Sequence, residues 1–174
     1  MPIIIGVLII IADQISKVLY VKLWGAPDVT LIDGILNLTY VQNRGAAWGI
    51  FSEHQIWLYI FSGVLIAAMI FLYARYYKSL GKLMRIAGAM VIAGALGNMI
   101  DRVVLGYVRD MIEFAFIDFP VFNIADSAIS IGAVLLFIDC LFLDGRKFFK
   151  DTEKEKIAEE TVKSPEGADN TDGD

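Results

Sequence analysis

The chain has 174 residues, 57% of them hydrophobic, and its mean hydropathy of +0.61 is more typical of a membrane protein than of a soluble domain. The formal net charge is -5, but the residues after Lys150 hold nine acids and three bases, a balance of -6 that leaves +1 for the rest. Neither part has the basic excess of a nucleic-acid-binding surface, and the single cysteine, Cys140, excludes an intramolecular disulfide.

Four apolar runs dominate the chain, and each is close to the roughly 20 residues that a helix needs to cross a hydrocarbon core. The first run lacks the basic start and the small-x-small cleavage site of a secretory signal, so it predicts an uncleaved transmembrane helix. The sequence therefore predicts an all-α membrane protein whose four transmembrane helices lie at about 3–23, 56–73, 83–100 and 122–143.

Basic residues between and after the runs predict the orientation of the helices. Cytoplasmic loops carry an excess of Lys and Arg, and seven basic residues lie on one side of the predicted membrane against about four on the other. This bias places both termini in the cytoplasm. The seven are Arg75, Lys78, Lys82, Arg85, Arg146, Lys147 and Lys150, and the four are Lys22, Arg44, Arg102 and Arg109.

The two segments on the predicted outer side differ in composition. Residues 25–55 are rich in Thr, Val, Ile and Tyr and contain Pro-Asp and Asp-Gly turn signals, so they predict a small β-rich segment of short strands. Residues 101–121 are more apolar and are expected to rest in the membrane interface. Beyond the membrane-embedded domain, 1–150, the charged tail 151–174 is expected to be disordered in the cytoplasm.

Polar and small residues inside the runs have both structural and functional interpretations. Asp13 and Lys17 are four residues apart and share a helix face. They form either an ion pair that lowers the cost of membrane insertion or part of a functional site. Ala89, Ala93 and Gly97 recur every four residues, which predicts close packing against a neighbouring helix.

Several other polar residues are less informative. The loop phrase from Asn43 to Gly49 favours either a close approach of backbone to a ligand or a plain turn. Asp101 is expected to form a structural ion pair with a nearby arginine. His54, the only histidine, is expected at the membrane interface, and one His with one Cys gives little support for a metal site.

By elimination, Asp110 and Asp126 remain as the candidate reactive pair. Both lie in apolar phrases at one edge of the predicted bundle. Two close carboxylates cannot both ionise cheaply, so they can share a proton and activate a water molecule. The pair predicts a hydrolase embedded in a bilayer.

Five phrases, taken in order, resemble the motifs of the lipoprotein signal peptidases, also called signal peptidase II. They extend from Asp13 to Asp126, and together they are far more specific than any one alone. The phrases are Asp13-Gln-Ile-Ser-Lys17, Asn43-Arg-Gly-Ala-Ala-Trp-Gly49, Gly94-Ala-Leu-Gly-Asn-Met-Ile-Asp-Arg102, Val108-Arg-Asp110 and Phe122-Asn-Ile-Ala-Asp126.

The resemblance implies an aspartic endopeptidase that cleaves diacylglyceryl-modified prolipoproteins just before the lipidated cysteine. It implies a site at the outer face of a bacterial cytoplasmic membrane, with membrane lipids as further partners and with no cofactor or metal. It makes Asp110 and Asp126 the catalytic pair. The residues that it assigns to substrate binding or site support are Asp13, Lys17, Asn43, Gly45, Asn98, Arg102 and Asn123.

Two positions depart from the family pattern. Trp48 stands where Phe is common and keeps an aromatic ring. Arg109 stands where an aliphatic residue usually precedes the aspartate, and we expect it to face the lipid headgroups, which leaves the assignment of Asp110 intact.

Two other classes of membrane protein stay open as alternatives. A small proton-coupled transporter would also keep acids in a helix bundle, although it would usually carry them near the midplane between repeated, broken helices. A structural membrane subunit would explain the ion pairs, but not two acids in apolar phrases without obvious partners. Cleavage of a lipid-modified precursor would distinguish the peptidase from both.

Overall fold

The protein is described by a computed structural model over residues 1–21, 28–45 and 55–143. The predictions for Trp48, His54 and the tail 151–174 lie outside the described residues. Four helices in the described part are long and apolar enough to cross a membrane, as predicted. They are α1 (Pro2–Val21), α2 (Gln55–Tyr76), α3 (Lys82–Leu105) and α4 (Ile124–Phe142).

The outward faces of these helices are apolar. Ile11, Phe61 and Phe137, for example, are 47%, 68% and 64% exposed. Contact of so many large apolar side chains with water would be unfavourable, whereas hydrocarbon solvates them well. Many of the buried positions of the helices hold small residues or charged residues instead, so the bundle combines an apolar exterior with an interior that contains polar groups.

Small residues allow α3, which contacts the other three helices, to pack closely against α1 and α4. A Cβ atom added to Gly97 would lie 2.8 Å from Oδ2 of Asp13, and one added to Gly94 would overlap the backbone oxygen of Ala125. Ala93 is also buried in this region. The predicted close packing is therefore confirmed, and it holds α1, α3 and α4 together near Gly94 and Gly97.

Local hydrogen bonding moves two helix ends away from their predicted positions. The helix α4 begins at Ile124 because Asn123 is its N-cap: the Asn123 side chain accepts from the backbone N–H of Asp126, whose carboxylate accepts from the backbone N–H of Asn123. The helix α3 continues to Leu105, where Gly106 ends it with a left-handed φ of 80°. This longer α3 carries Asp101 and Arg102.

A three-stranded antiparallel sheet connects the ends of the helices. The hairpin of the first two strands is the β-rich segment predicted for residues 25–55, and Gly34 adopts the positive φ of 67° that its turn requires. The strands, which pair in the order β1-β2-β3, are β1 (Val29–Ile32), β2 (Leu36–Asn43) and β3 (Val108–Phe114).

The third strand corrects the interpretation of residues 101–121, which were expected only to rest in the interface. In β3, Asp110 pairs with Val41 and Val108 pairs with Asn43 of β2. The first four residues of β3 are buried, so the strand shows no alternation of exposed and buried positions. Its partner strand is also remote in sequence, which hides the pairing from local patterns.

A backbone bridge carries the sheet to the start of α4. The N–H and oxygen of Phe122 exchange hydrogen bonds with Ile112 of β3 at 2.9 and 2.8 Å. This bridge lies two residues after Asp110 and four residues before Asp126. The fold thereby brings the two acids of the predicted pair to one place.

Candidate active site

Asp110 and Asp126 line one cavity of about 580 Å³. Asp110 comes from β3, and Asp126 comes from the first turn of α4. Part of the wall is apolar, including Phe119 and Ile131. The polar part of the wall consists of Asn43, Asn98, Arg102, Asp110 and Asp126, with Ser127 and Ser130 beside them.

The carboxyl group of Asp110 is held by two amide side chains. Asn43 donates to Oδ2 at 3.0 Å, and Asn123 donates to Oδ1 at 2.6 Å. Asn43 is itself oriented by the backbone N–H of Gly45, which donates to its Oδ1 at 3.0 Å. Burial of the Asp110 carboxyl group, and next the negative charge of Asp126, raise its pKa to about 7.

The carboxyl group of Asp126 has separate donors. Asn98 of α3 donates to Oδ1 at 2.7 Å, and the backbone N–H of Asn123 donates to Oδ2 at 3.2 Å. Asn123 therefore contacts both acids, through its side chain on Asp110 and through its main chain on Asp126. Its amide also donates to Oδ1 of Asn98 at 3.1 Å, which links the two sets of donors.

A buried ion pair lies behind this cavity. Lys17 and Asp13 are both fully buried, and Nζ of Lys17 lies 2.8 Å from Oδ2 of Asp13. The ion pair, one of the two interpretations that the sequence left open, is therefore present. Lys17 also donates to Asn98 at 3.1 Å, and Asp13 accepts from the backbone N–H of Ala125 at 3.0 Å. The pair thus ties α1 to the helices that carry Asn98 and Asp126.

Arg109 occupies a different place from the one expected. It is only 8% exposed, and its Nη2 lies 2.7 Å from Oδ1 of Asp101. The expectation that it faces the lipid headgroups is wrong, because successive side chains of a strand point to opposite faces. With Asp110 in the cavity, Arg109 faces α3 and α1. The predicted structural ion pair of Asp101 with an arginine is confirmed.

Gln14 is a residue that the sequence interpretation missed. Its side chain donates to Asp101 at 3.2 Å and to the backbone oxygen of Gly97 at 3.1 Å, and it accepts from Arg109 at 3.1 Å. A polar residue inside an apolar run, next to Asp13, was a signal for such a role.

The nine residues that the sequence predicted for the site form one connected region. Arg102 lines the cavity and donates to the backbone oxygen of Gly45 at 3.4 Å. No group of three metal-binding side chains occurs among the described residues. The residues brought together are Asp13, Lys17, Asn43, Gly45, Asn98, Arg102, Asp110, Asn123 and Asp126.

Comparisons with known proteins point to one family. Residues 5–142 match the family model described as Signal peptidase (SPase) II. The proteins named lipoprotein signal peptidase of Lactobacillus johnsonii and Clostridium tetani are 45% and 41% identical to the chain. The first match covers 80% of this chain and 91% of the relative, and the second covers 86% and 99%.

A solved structure supports the fold. It is described as a bacterial membrane enzyme determined by the in meso method at 2.3 Å resolution. It superposes with a TM-score of 0.70 and 35% sequence identity, over 80% of this chain and 87% of that one.

Proposed function

The chain belongs to the signal peptidase II family, and on this basis we propose that it removes signal peptides from lipoprotein precursors in a bacterial membrane. The relatives named lipoprotein signal peptidase are similar over four fifths or more of the chain. A proton-coupled transporter is not favoured, because the family match reaches from the first transmembrane helix to the fourth.

The proposed chemistry is that of an aspartic endopeptidase, and one observation carries it. Asp110 and Asp126 come from different elements, yet they open into one cavity and Asn123 hydrogen-bonds to both. Two carboxyl groups arranged in this way can hold one proton between them near neutral pH. Such a pair supplies both an acid and a base for hydrolysis of a peptide bond.

In the proposed reaction, Asp126 is the ionised member of the pair. Asn98 and the N-terminal end of α4 donate hydrogen bonds to its oxygens, and both favour negative charge. Asp126 takes a proton from a water molecule as the water oxygen attacks the scissile carbonyl carbon. Protonated Asp110 polarises that carbonyl and gives its proton to the leaving nitrogen as the C–N bond breaks. The pair still holds one proton, now on Asp126.

The position of the cavity suits a substrate that remains partly in lipid. Its walls include Ile131 and Ser130 of α4, which are exposed towards the surroundings of the bundle. The substrate that we propose is a precursor whose cysteine carries a diacylglyceryl group. Its acyl chains can stay in hydrocarbon, where each buried methylene gains about 0.8 kcal/mol, while the peptide bond before the cysteine reaches the carboxyl groups.

The test of this function is cleavage by the purified protein in detergent. A precursor with a diacylglyceryl-modified cysteine is expected to be cut once, just before that cysteine. The same precursor without the lipid is the matched control and is expected to be cut at least about a hundredfold more slowly. Equal cleavage of both would contradict the proposed substrate class, and no cleavage of either would contradict the proposed activity.

The pH dependence of cleavage follows from the ionisation of Asp110. Its pKa is raised to about 7, so it holds the required proton below pH 7 and loses it above. Once both acids are ionised, nothing can protonate the leaving nitrogen. We expect kcat/KM to fall about tenfold per pH unit above pH 7. A profile that is flat or rising from pH 7 to pH 9 would rule out Asp110 as the proton donor.

The proposed topology places both termini in the cytoplasm and the cavity at the outer face. In a background where Cys140 is replaced, we expect Lys78→Cys and Ser164→Cys to react with an impermeant thiol reagent only from the cytoplasmic side. Asp33→Cys, in the exposed turn of the β1–β2 hairpin, is expected to react only from outside. Labelling of Ser164→Cys and Asp33→Cys from the same side would refute this topology.

A further inference from the structure

Arg109 places three hydrogen-bond donors on one carboxylate. Its backbone N–H and its Nε both donate to Oδ2 of Asp101, at 3.0 and 3.1 Å, and its Nη2 donates to Oδ1 at 2.7 Å. Because main-chain and side-chain donors of one residue bind the same group, this arrangement fixes the backbone direction of β3 at residue 109 relative to α3. We call these three bonds the Arg109 anchor.

The same turn of α3 positions the other acid of the pair. Asn98 lies three residues before Asp101, so the two share a helix face, and Asn98 donates to Asp126 at 2.7 Å. Lys17 joins them from α1, at 3.1 Å from Asn98 and 3.5 Å from Asp101. One turn of α3 therefore holds Asp126 directly and holds β3 through the anchor.

The anchor also determines where Asp110 points. Successive side chains of a strand leave it on opposite faces, so holding Arg109 against α3 directs Asp110 into the cavity. Gln14 braces the guanidinium, because its Oε1 accepts from Nη2 at 3.1 Å. The oxygen of residue 109 lies 3.5 Å from the Asn123 amide that also binds Asp110, so the following peptide group is held as well.

We propose that Arg109 is a positioning residue, which acts through Asp101 to set the separation of Asp110 from Asp126. Its effect on cleavage rests on the proposed function, whereas its effect on the ionisation of Asp110 does not. Loss of the anchor frees β3 to move away from α3. Water then reaches the carboxyl group of Asp110, and the negative charge of Asp126 repels that group less because it is farther away. Asp110 therefore ionises at a lower pH. Lys17 and Arg102 also face Asp110, each with a positive charge.

Cleavage kinetics provide the first test. Arg109→Met is expected to lower kcat at least about tenfold, with KM changed less than about threefold, and to move the alkaline fall of kcat/KM to lower pH. Arg109→Lys keeps the charge but not the planar guanidinium that donates to both oxygens of Asp101, so it is expected to recover part of kcat. The control is Arg85→Met: Arg85 is half-buried, and it donates to backbone oxygens of Leu80 and Lys78 rather than to a carboxylate. It should keep the wild-type pH profile.

A second measurement needs no turnover. The difference in thermal stability between Asp110→Asn and its parent, followed across pH, reports the ionisation of Asp110. In the Arg109→Met background this difference is expected to start at the same pH, near 4, but to level off at a lower pH and at a smaller value than in the wild-type background. A plateau reached at an unchanged pH would overturn the proposal, and so would one reached at higher pH, which would mean that Arg109 acts only by its charge. Failure of wild-type cleavage would count against the proposed function alone.

Discussion

Asp110→Asn and Asp126→Asn are each expected to lower the rate of precursor cleavage by roughly a thousandfold or more. Asparagine keeps the shape of the side chain and an acceptor oxygen for the neighbouring amides, but it cannot gain and lose a proton. The reaction needs one acid that accepts a proton from water and one that donates to the leaving nitrogen. Removal of either therefore stops the same step, and the double variant should be little worse than the single ones.

The control for these variants is Asp118→Asn, which changes an exposed acid in the segment between β3 and α4. It should retain wild-type activity, because the residue is not part of the cavity that holds Asp110 and Asp126. Asp110→Asn and Asp126→Asn should both still insert and fold, which their thermal unfolding in detergent will report. Cleavage above about a tenth of the wild-type rate by either variant would remove that residue from the proposed chemistry.

The raised pKa of Asp110 also predicts the pH dependence of stability. The folded state keeps the proton up to about pH 7, whereas the unfolded state loses it near the ordinary value of 3.8. Between these values the folded state binds more protons, so wild-type stability falls as pH rises. Asp110→Asn does not show this fall in stability, because asparagine has no proton to lose in this pH range. Its Tm relative to wild type should therefore rise by several degrees from about pH 4 to about pH 7 and then stay constant.

The sequence predicted the helices well because their main signal is local. A run of apolar residues long enough to cross a membrane can be recognised without knowing its neighbours, and all four predicted runs are helices. The acids were chosen as candidates for a related reason: Asp110 and Asp126 stand out because an ionisable group is costly in apolar surroundings. The nine predicted site residues lie together in space. They could be predicted as a set because the family phrases carry information that composition lacks.

The features that the sequence did not predict depend on long-range pairing. The strand β3 binds a strand about 70 residues earlier, and no local pattern specifies that partner. The wrong prediction for the orientation of Arg109 follows from this omission of β3. If residues 108–114 are a strand and Asp110 faces the cavity, Arg109 has to face the opposite side, where Asp101 and Gln14 bind it.

Lys17→Met is expected to be strongly destabilising, by roughly 3–5 kcal/mol. Lys17 is fully buried between Asp13 at 2.8 Å and Asp101 at 3.5 Å. Asp101 keeps Arg109 as a partner, but Asp13 loses its nearest cation and remains buried. An uncompensated buried charge costs more than the ion pair contributes, because the remaining carboxylate can no longer be solvated. Thermal unfolding in detergent will measure the loss.

Removal of the negative charge of Asp13 as well should restore much of the stability lost in Lys17→Met. Asp13→Asn is the suitable partner change, because its oxygen can still accept from the backbone N–H of Ala125 at the start of α4. The double variant Asp13→Asn with Lys17→Met is expected to recover at least half of the loss, since neither buried charge then remains. The control, Lys78→Met, removes an exposed lysine and should change Tm little. Strictly additive losses in the double variant would mean that Asp13 and Lys17 do not stabilise each other, and the ion pair would then have no part in holding α1 against the site.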